Sequence, residues 1–191
     1  MAAERESLQF SSRDEFRDWM LENQDLEIGI WLIVAKKSAP FATVTYAEAL
    51  DVALEFGWID GQSRSRDEYT SFRGFTPRRA ASPWSMRNRV AAEAMIAEGR
   101  MSSRGLAEIE RARADGRWDR AYATSTDAQP HPDFLIALER NHAAQAFYAT
   151  LNAQNRFAVY YRIHALKTEQ GRARAIERMV EKLARGEKPA G

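Results

Sequence analysis

The patterning of this chain changes once, at Pro77, and that change limits the fold more than any other feature. Before it lie short β-branched and aromatic stretches; after it every apolar stripe has helical spacing. Ile28-Gly29-Ile30-Trp31-Leu32-Ile33-Val34 is too short and too uninterrupted for a surface helix and reads as a buried strand. Tyr69 to Thr76 alternates like a second strand and stops at Pro77, which lacks the N–H a ladder needs. Two helices accompany these strands. Ser12-Arg13-Asp14-Glu15 forms a capping box ahead of Phe16, Trp19 and Met20 on one face, and Thr45-Tyr46-Ala47-Glu48 forms another. The second helix is apolar on most sides, which indicates burial, and Gly57 supplies its left-handed stop. Trp58-Ile59-Asp60-Gly61 reads as an extended piece entering a turn.

Beyond Pro77 the chain reads as helix throughout. Ser82-Pro83 or Ser85 caps a helix whose inward stripe is expected to be Met86, Val90, Ala91, Ala94 and Met95, ending at Gly99. Ser103 opens another, with Leu106 and Ile109 inward, ending at Gly116. The polar stretch 119–132 closes on Pro130-His131-Pro132 and is the expected linker. Stripes then recur at Phe134 to Leu138, at Phe147, Tyr148 and Leu151, and at Phe157, Tyr160 and Tyr161. The last stripe is Ile176, Met179, Val180 and Leu183. The expected fold is therefore α+β: a small antiparallel sheet with helices over 1–118, a linker over 119–132 and a helical bundle over 133–191.

Composition removes several function classes. With no cysteine there are no disulfides, thiolate metal clusters or cysteine nucleophiles. The histidines, His131, His142 and His164, form no zinc-ligand spacing, so no metal is expected. There is no nucleophile elbow, Walker loop or dinucleotide fingerprint, and no cofactor is expected. The longest apolar run, Ile28 to Ala35, falls well short of the roughly 20 residues that span a bilayer. The acidic start, Glu4-Arg5-Glu6, lacks a signal-peptide core, so a cytoplasmic location without membrane insertion is expected. The last helix carries Arg174, Arg178, Lys182 and Arg185 on one stripe, but Glu177 and Glu181 interleave with them; no nucleic-acid partner is expected.

The net charge of +1 conceals a segregation. Residues 1–70 hold 7 Lys/Arg against 14 Asp/Glu, whereas residues 71–117 hold 10 against 5. Within the basic stretch, Arg78 and Arg79 lead toward a helix start, where unpaired backbone N–H groups and bidentate guanidinium groups together suit an anion. Ser82, Ser85 and Asn88 offer further donors, and Trp84 a flat surface for a ring. The plainer reading is that a serine caps the helix while the arginines pair with Asp60, Asp67 or Glu68. Asp60 itself is either a turn anchor or an acid/base group. The candidate ligand-binding set is thus Asp60, Arg78, Arg79, Trp84, Ser85 and Asn88, with Asp60 orienting an arginine and also the one catalytic candidate.

In order along the chain, Trp58-Ile59-Asp60-Gly61-Gln62, Asp67-Glu68, Phe75-Thr76-Pro77-Arg78-Arg79, Ser82-x-Trp84-Ser85-x-x-Asn88, Gly99-Arg100-Met101, Gly105-Leu106 and Gly116-Arg117-Trp118 resemble the YdeI/OmpD-associated (bacteriocin-protection) family of bacteria. Ile163, Lys167, Arg172, Arg174, Ile176, Leu183 and Gly186 extend the resemblance, which runs from about Trp31 to Gly186. Gly74 departs from the arginine common before Phe-Thr-Pro, and Gly171 and Ala175 replace a threonine and an arginine. The resemblance implies a role in tolerance to bacteriocins or cationic antimicrobial peptides and brings no established catalytic residues. The expected function is a cytosolic stress-protection protein that binds an anionic small molecule or partner without catalysis. The alternatives are an enzyme on a phosphorylated or carboxylated substrate with Asp60 as acid/base, and a protein–protein interaction module with Tyr160 and Tyr161 facing solvent.

Overall fold

The computed structural model describes residues 4–189. The chain divides into two compact units: the chain through Trp84 with Asn88–Arg120, and Ser85–Arg87 with the chain from Ala121 onward. The first is α+β and the second helical.

In the first unit the order is β1 (Glu6–Leu8), α1 (Arg13–Asn23), β2 (Ile30–Ala35), α2 (Tyr46–Glu55), β3 (Trp58–Ser65) and β4 (Thr70–Pro77), followed by α3 (Met86–Ala97, from Asn88 on) and α4 (Ser103–Ala114). The sheet order is β1-β2-β4-β3. The expected antiparallel sheet is in fact mixed. β2, β4 and β3 pair antiparallel, but the three-residue β1 lies parallel to β2, Glu6 opposite Ile30, a pairing that the α1 crossover permits. β3 does not turn at Asp60; it runs to Ser65, with its register against β4 shifting between Asp60 and Ser63. This bulge absorbs the Gly61 signal that reads as a turn in the sequence. The turn comes at Asp67, whose carboxylate accepts from the Tyr69 and Thr70 N–H groups at 2.9 and 2.7 Å.

Ile30, Leu32 and Val34 of β2 and Phe75 of β4 face Phe16 and Met20 of α1 and Leu50 and Ala53 of α2 in one core. Burying side chains of this size stabilises the fold by about 1.5–3 kcal/mol each. Thr45 closes a complete capping box with Glu48, whereas only half of the Ser12 box forms as written. Ser12 accepts from the Glu15 N–H, but the Glu15 carboxylate reaches one residue further back, to Ser11. Gly29, at φ 71°, sits where any Cβ would overlap the Phe75 carbonyl oxygen.

Two helices turn a different face inward from the one their apolar residues suggest. On α3 the buried residues are Asn88, Ala92 and Met95, while Met86 and Val90 are exposed, because a buried carboxamide takes the place of an apolar side chain. On α4 the inward line is Gly105, Ile109 and Ala112, and Leu106 is exposed. Gly105 sets that face: a Cβ there would overlap the Glu55 carbonyl oxygen, which also accepts from the Ser102 N–H and hydroxyl. Helix α4 thus docks on the C-terminal end of α2 by backbone approach.

The second unit holds α5 (Pro132–Glu139), α6 (His142–Thr150), α7 (Ala153–His164) and α8 (Glu169–Ala184). Its core contains the expected Ile176, Met179, Val180 and Leu183 of α8. Helix α7 contributes Val159 and Ile163 rather than Phe157, Tyr160 and Tyr161. Those three rings are half-buried; Tyr122 meets Tyr161 edge-on at 5.0 Å and His164 stacks on Tyr160 at 5.1 Å. Among the described residues no helix is long and apolar enough to cross a membrane, and no cluster of acidic and histidine side chains is arranged to hold a metal ion.

Candidate functional site

The structure separates the candidate residues by burial. Arg78 closes β4: its N–H donates to the Gly57 carbonyl at 3.1 Å, which sets it beside the end of α2. It is 4% exposed. Its guanidinium carbon lies 3.7 Å from the centre of a Trp84 ring, and Nη1 donates to the Pro83 carbonyl at 3.1 Å. Trp84 is 1% exposed, and Trp118 meets it edge-on at 4.7 Å. The Trp84 ring is therefore packed on its Arg78 and Trp118 sides and supports the protein's own cation.

Arg79 is exposed and opens a tight turn rather than a helix. The Ser82 hydroxyl accepts from the Arg79 N–H at 2.9 Å, and the Ser82 N–H donates back to the Arg79 carbonyl at 2.9 Å. The Ser82 carbonyl in turn accepts from Arg117 Nη1 at 2.8 Å, and Arg117 is clamped by Asp115 at 2.7 Å. Helix α3 starts only at Met86, whose N–H donates to the Tyr122 carbonyl at 2.7 Å. The serine nearest the arginines thus shapes the loop that carries them, and Ser85 pairs in a parallel bridge with Tyr122. Asn88 is buried on the inner face of α3.

Asp60 neither anchors a turn of its own nor pairs with an arginine among the described residues; its carboxylate accepts from the Tyr46 hydroxyl at 2.6 Å, linking the first residue of α2 to β3. Arg73 lies over the same tyrosine ring at 4.9 Å.

What the fold assembles around Arg78 and Arg79 is a cleft of about 350 Å³ within the first unit. Its lining brings in Arg104 and Arg111 from α4, with Glu27 and Glu108. Asp60, Trp84, Ser85 and Asn88 are not among the lining residues. Arg104 pairs with Asp25 and lies 3.9 Å from Glu27, its Nε buried with no hydrogen-bond partner among the described residues. Arg111 pairs with Glu108 and donates to the Arg78 carbonyl at 3.3 Å. Four arginines and two glutamates line one concavity, a composition that favours a carboxylate or phosphate over a cation. Arg104 and Arg111 escape a linear reading because the docking of α4, set by Gly105, is what carries them to Arg78. Arg117 and Trp118, of the Gly116-Arg117-Trp118 motif, brace the Ser82 loop and the Trp84 ring.

Residues 8–108 match a family described as a domain of unknown function, DUF8412. That is more than half of the chain. The chain belongs to this family. Residues 127–186 match a second family, described as bacteriocin-protection, YdeI or OmpD-associated, the one its sequence resembles. The Trp58–Asn88 block and the cleft residues Arg78, Arg79 and Arg104 fall under the first match, Arg111 under neither. No curated protein and no solved structure matches the chain.

Proposed function

We propose that this protein is a non-catalytic binder of an anionic small molecule, or of an anionic partner segment, taken up in the Arg78–Arg79–Arg104–Arg111 cleft. The supporting observation is the excess of arginine over glutamate around a single concavity, with Arg79 exposed at its edge. Arg78 acts as a fixed wall, stacked on Trp84, and Arg79 and Arg111 are the groups that reach the ligand. The proposed setting is cytosolic stress protection; the match of residues 127–186 to a bacteriocin-protection family supports the protective role alone. Asp60 accepts from Tyr46 and is not among the cleft-lining residues, so the binding reading rests on the arginines.

Calorimetric titration with citrate and with inorganic pyrophosphate tests this on the full chain. At least one should bind, and the Arg79→Ala/Arg111→Ala double variant should lose about tenfold or more in affinity, since charge-assisted bonds to an anion are worth about 1.5–3 kcal/mol each. No binding of either probe by the parent protein, or undiminished binding by the double variant, overturns the proposal.

A further inference from the structure

The outer face of the sheet carries a second arrangement, unrelated to the cleft and independent of whether the cleft binds an anion. Side chains alternate along a strand, so while Ile30, Leu32, Val34 and Phe75 enter the core, Trp31 and Phe72 stand on the opposite face of the two central strands. Their rings meet edge-on at 6.1 Å and both are half-buried. Gly74, opposite Trp31 in the register, leaves room for that ring: a Cβ there would stand 3.3 Å from it.

Three arginines gather on this ring pair. Arg64, directly opposite Phe72 on the edge strand β3, lies 4.2 Å from the Trp31 ring centre and 4.8 Å from that of Phe72. Arg5 lies 5.5 Å from Trp31, and Arg66 lies 5.7 Å from Phe72. Only Arg66 has a carboxylate partner among the described residues, Asp67 at 3.0 Å. Arg5 donates to the Ile28 carbonyl, and exposed Arg64 has only the rings as partners among the described residues. Although residues 1–70 are acidic as a whole, this patch is basic.

We propose that this face, at Trp31, Phe72, Arg5 and Arg64, is a platform for single-stranded nucleic acid. Paired aromatic rings on the central strands of a four-stranded sheet offer stacking surfaces to unpaired bases, and neighbouring guanidinium groups meet the phosphates. An acidic peptide would satisfy the arginines but leave the two rings unused. Arg64 covers the rings when no strand is bound and moves onto a phosphate when one is, so a cation–π contact is exchanged for base stacking and an ion pair. The sequence alone argues against a nucleic-acid partner on the interleaved glutamates of the last helix; Trp31 lies more than 30 residues from Arg64 and Phe72, and only the strand register unites them.

Fluorescence anisotropy with labelled oligo(dT) and oligo(U) of about 12 nucleotides tests the platform on the full chain, with a duplex of equal length, heparin and poly-glutamate as competitors. At least one single strand should bind, the pair of arms deciding between DNA and RNA. Phe72→Leu, which keeps the apolar volume, should weaken binding about tenfold. Arg64→Gln should weaken it and reduce the salt dependence by the equivalent of about one phosphate contact. Circular dichroism and melting check that both variants are folded; Arg64 is exposed, so its variant carries the test if Phe72→Leu unfolds. Absence of binding at low salt overturns the proposal. So does equal or better competition by duplex, heparin or poly-glutamate, or binding that neither variant changes.

Discussion

The first unit keeps two groups of arginines, and it holds them by opposite means. Around the cleft, Arg104 and Arg111 are paired with Asp25 and Glu108, while Arg78 is buried against Trp84. On the sheet, Arg64 and Arg5 rest on Trp31 with no carboxylate partner among the described residues. A carboxylate fixes a guanidinium and cancels much of its field; an aromatic face orients it and leaves its charge available. The cleft is therefore a shaped concavity with modest net charge, whereas the sheet is a flat surface with readily redirected charge.

The largest expected effect tests whether the cleft wall is structural. Trp84→Ala should remove about 3–5 kcal/mol of stability in a chemical denaturation experiment, because it empties a fully buried site and strips Arg78 and Trp118 of their common neighbour. Next, Arg78→Ala should cost about 2 kcal/mol, and Arg79→Ala no more than about 0.5 kcal/mol, by the same measurement. Equal losses at the two positions would erase the distinction between wall and reaching group. A smaller pair of effects separates the two modes of holding. Arg104→Ala and Arg64→Ala should each cost under about 1 kcal/mol. The Arg104 loss should shrink as salt screens its pairing with exposed Asp25, whereas the Arg64 loss, made over contact distance with the rings, should persist.

The smallest effect concerns acid. The Thr70 hydroxyl, the Thr70 and Tyr69 N–H groups and the Arg66 guanidinium hold the Asp67 carboxyl below the usual aspartate range. A depressed folded-state pKa means that the stability it contributes is present above the ordinary aspartate range and is lost as pH falls through the lower, folded value. An NMR titration should place Asp67 low, and Thr70→Val should move it back upward.

Much of this organisation is written locally. Gly57, Gly99 and Gly116 stop their helices at positive φ, as their positions after apolar stripes suggest, and α8 buries the four residues its spacing selects. Those features depend on neighbours within a turn or two. The inward faces of α3 and α4 do not, because Asn88 and Gly105 are chosen by what they meet across the unit and not by hydrophobicity. The same holds for the candidate site. Arg78 and Arg79 are conspicuous in sequence, but their companions Arg104 and Arg111 arrive only through helix docking. Ser82, a candidate helix cap in the sequence, instead closes the Arg79 turn. The parallel β1 strand left no signal because three residues are too few to show a period.

Gly29 carries a consequence well beyond its own turn. The Phe75 carbonyl lies where a methyl group on residue 29 would have to go, so even alanine would wedge the start of β2 away from β4. That spacing is also what seats the Trp31 ring over Gly74 and beside Phe72. A single added carbon, contributing nothing to either aromatic ring, would therefore misalign the surface they form, making position 29 a remote control on everything that surface recognises.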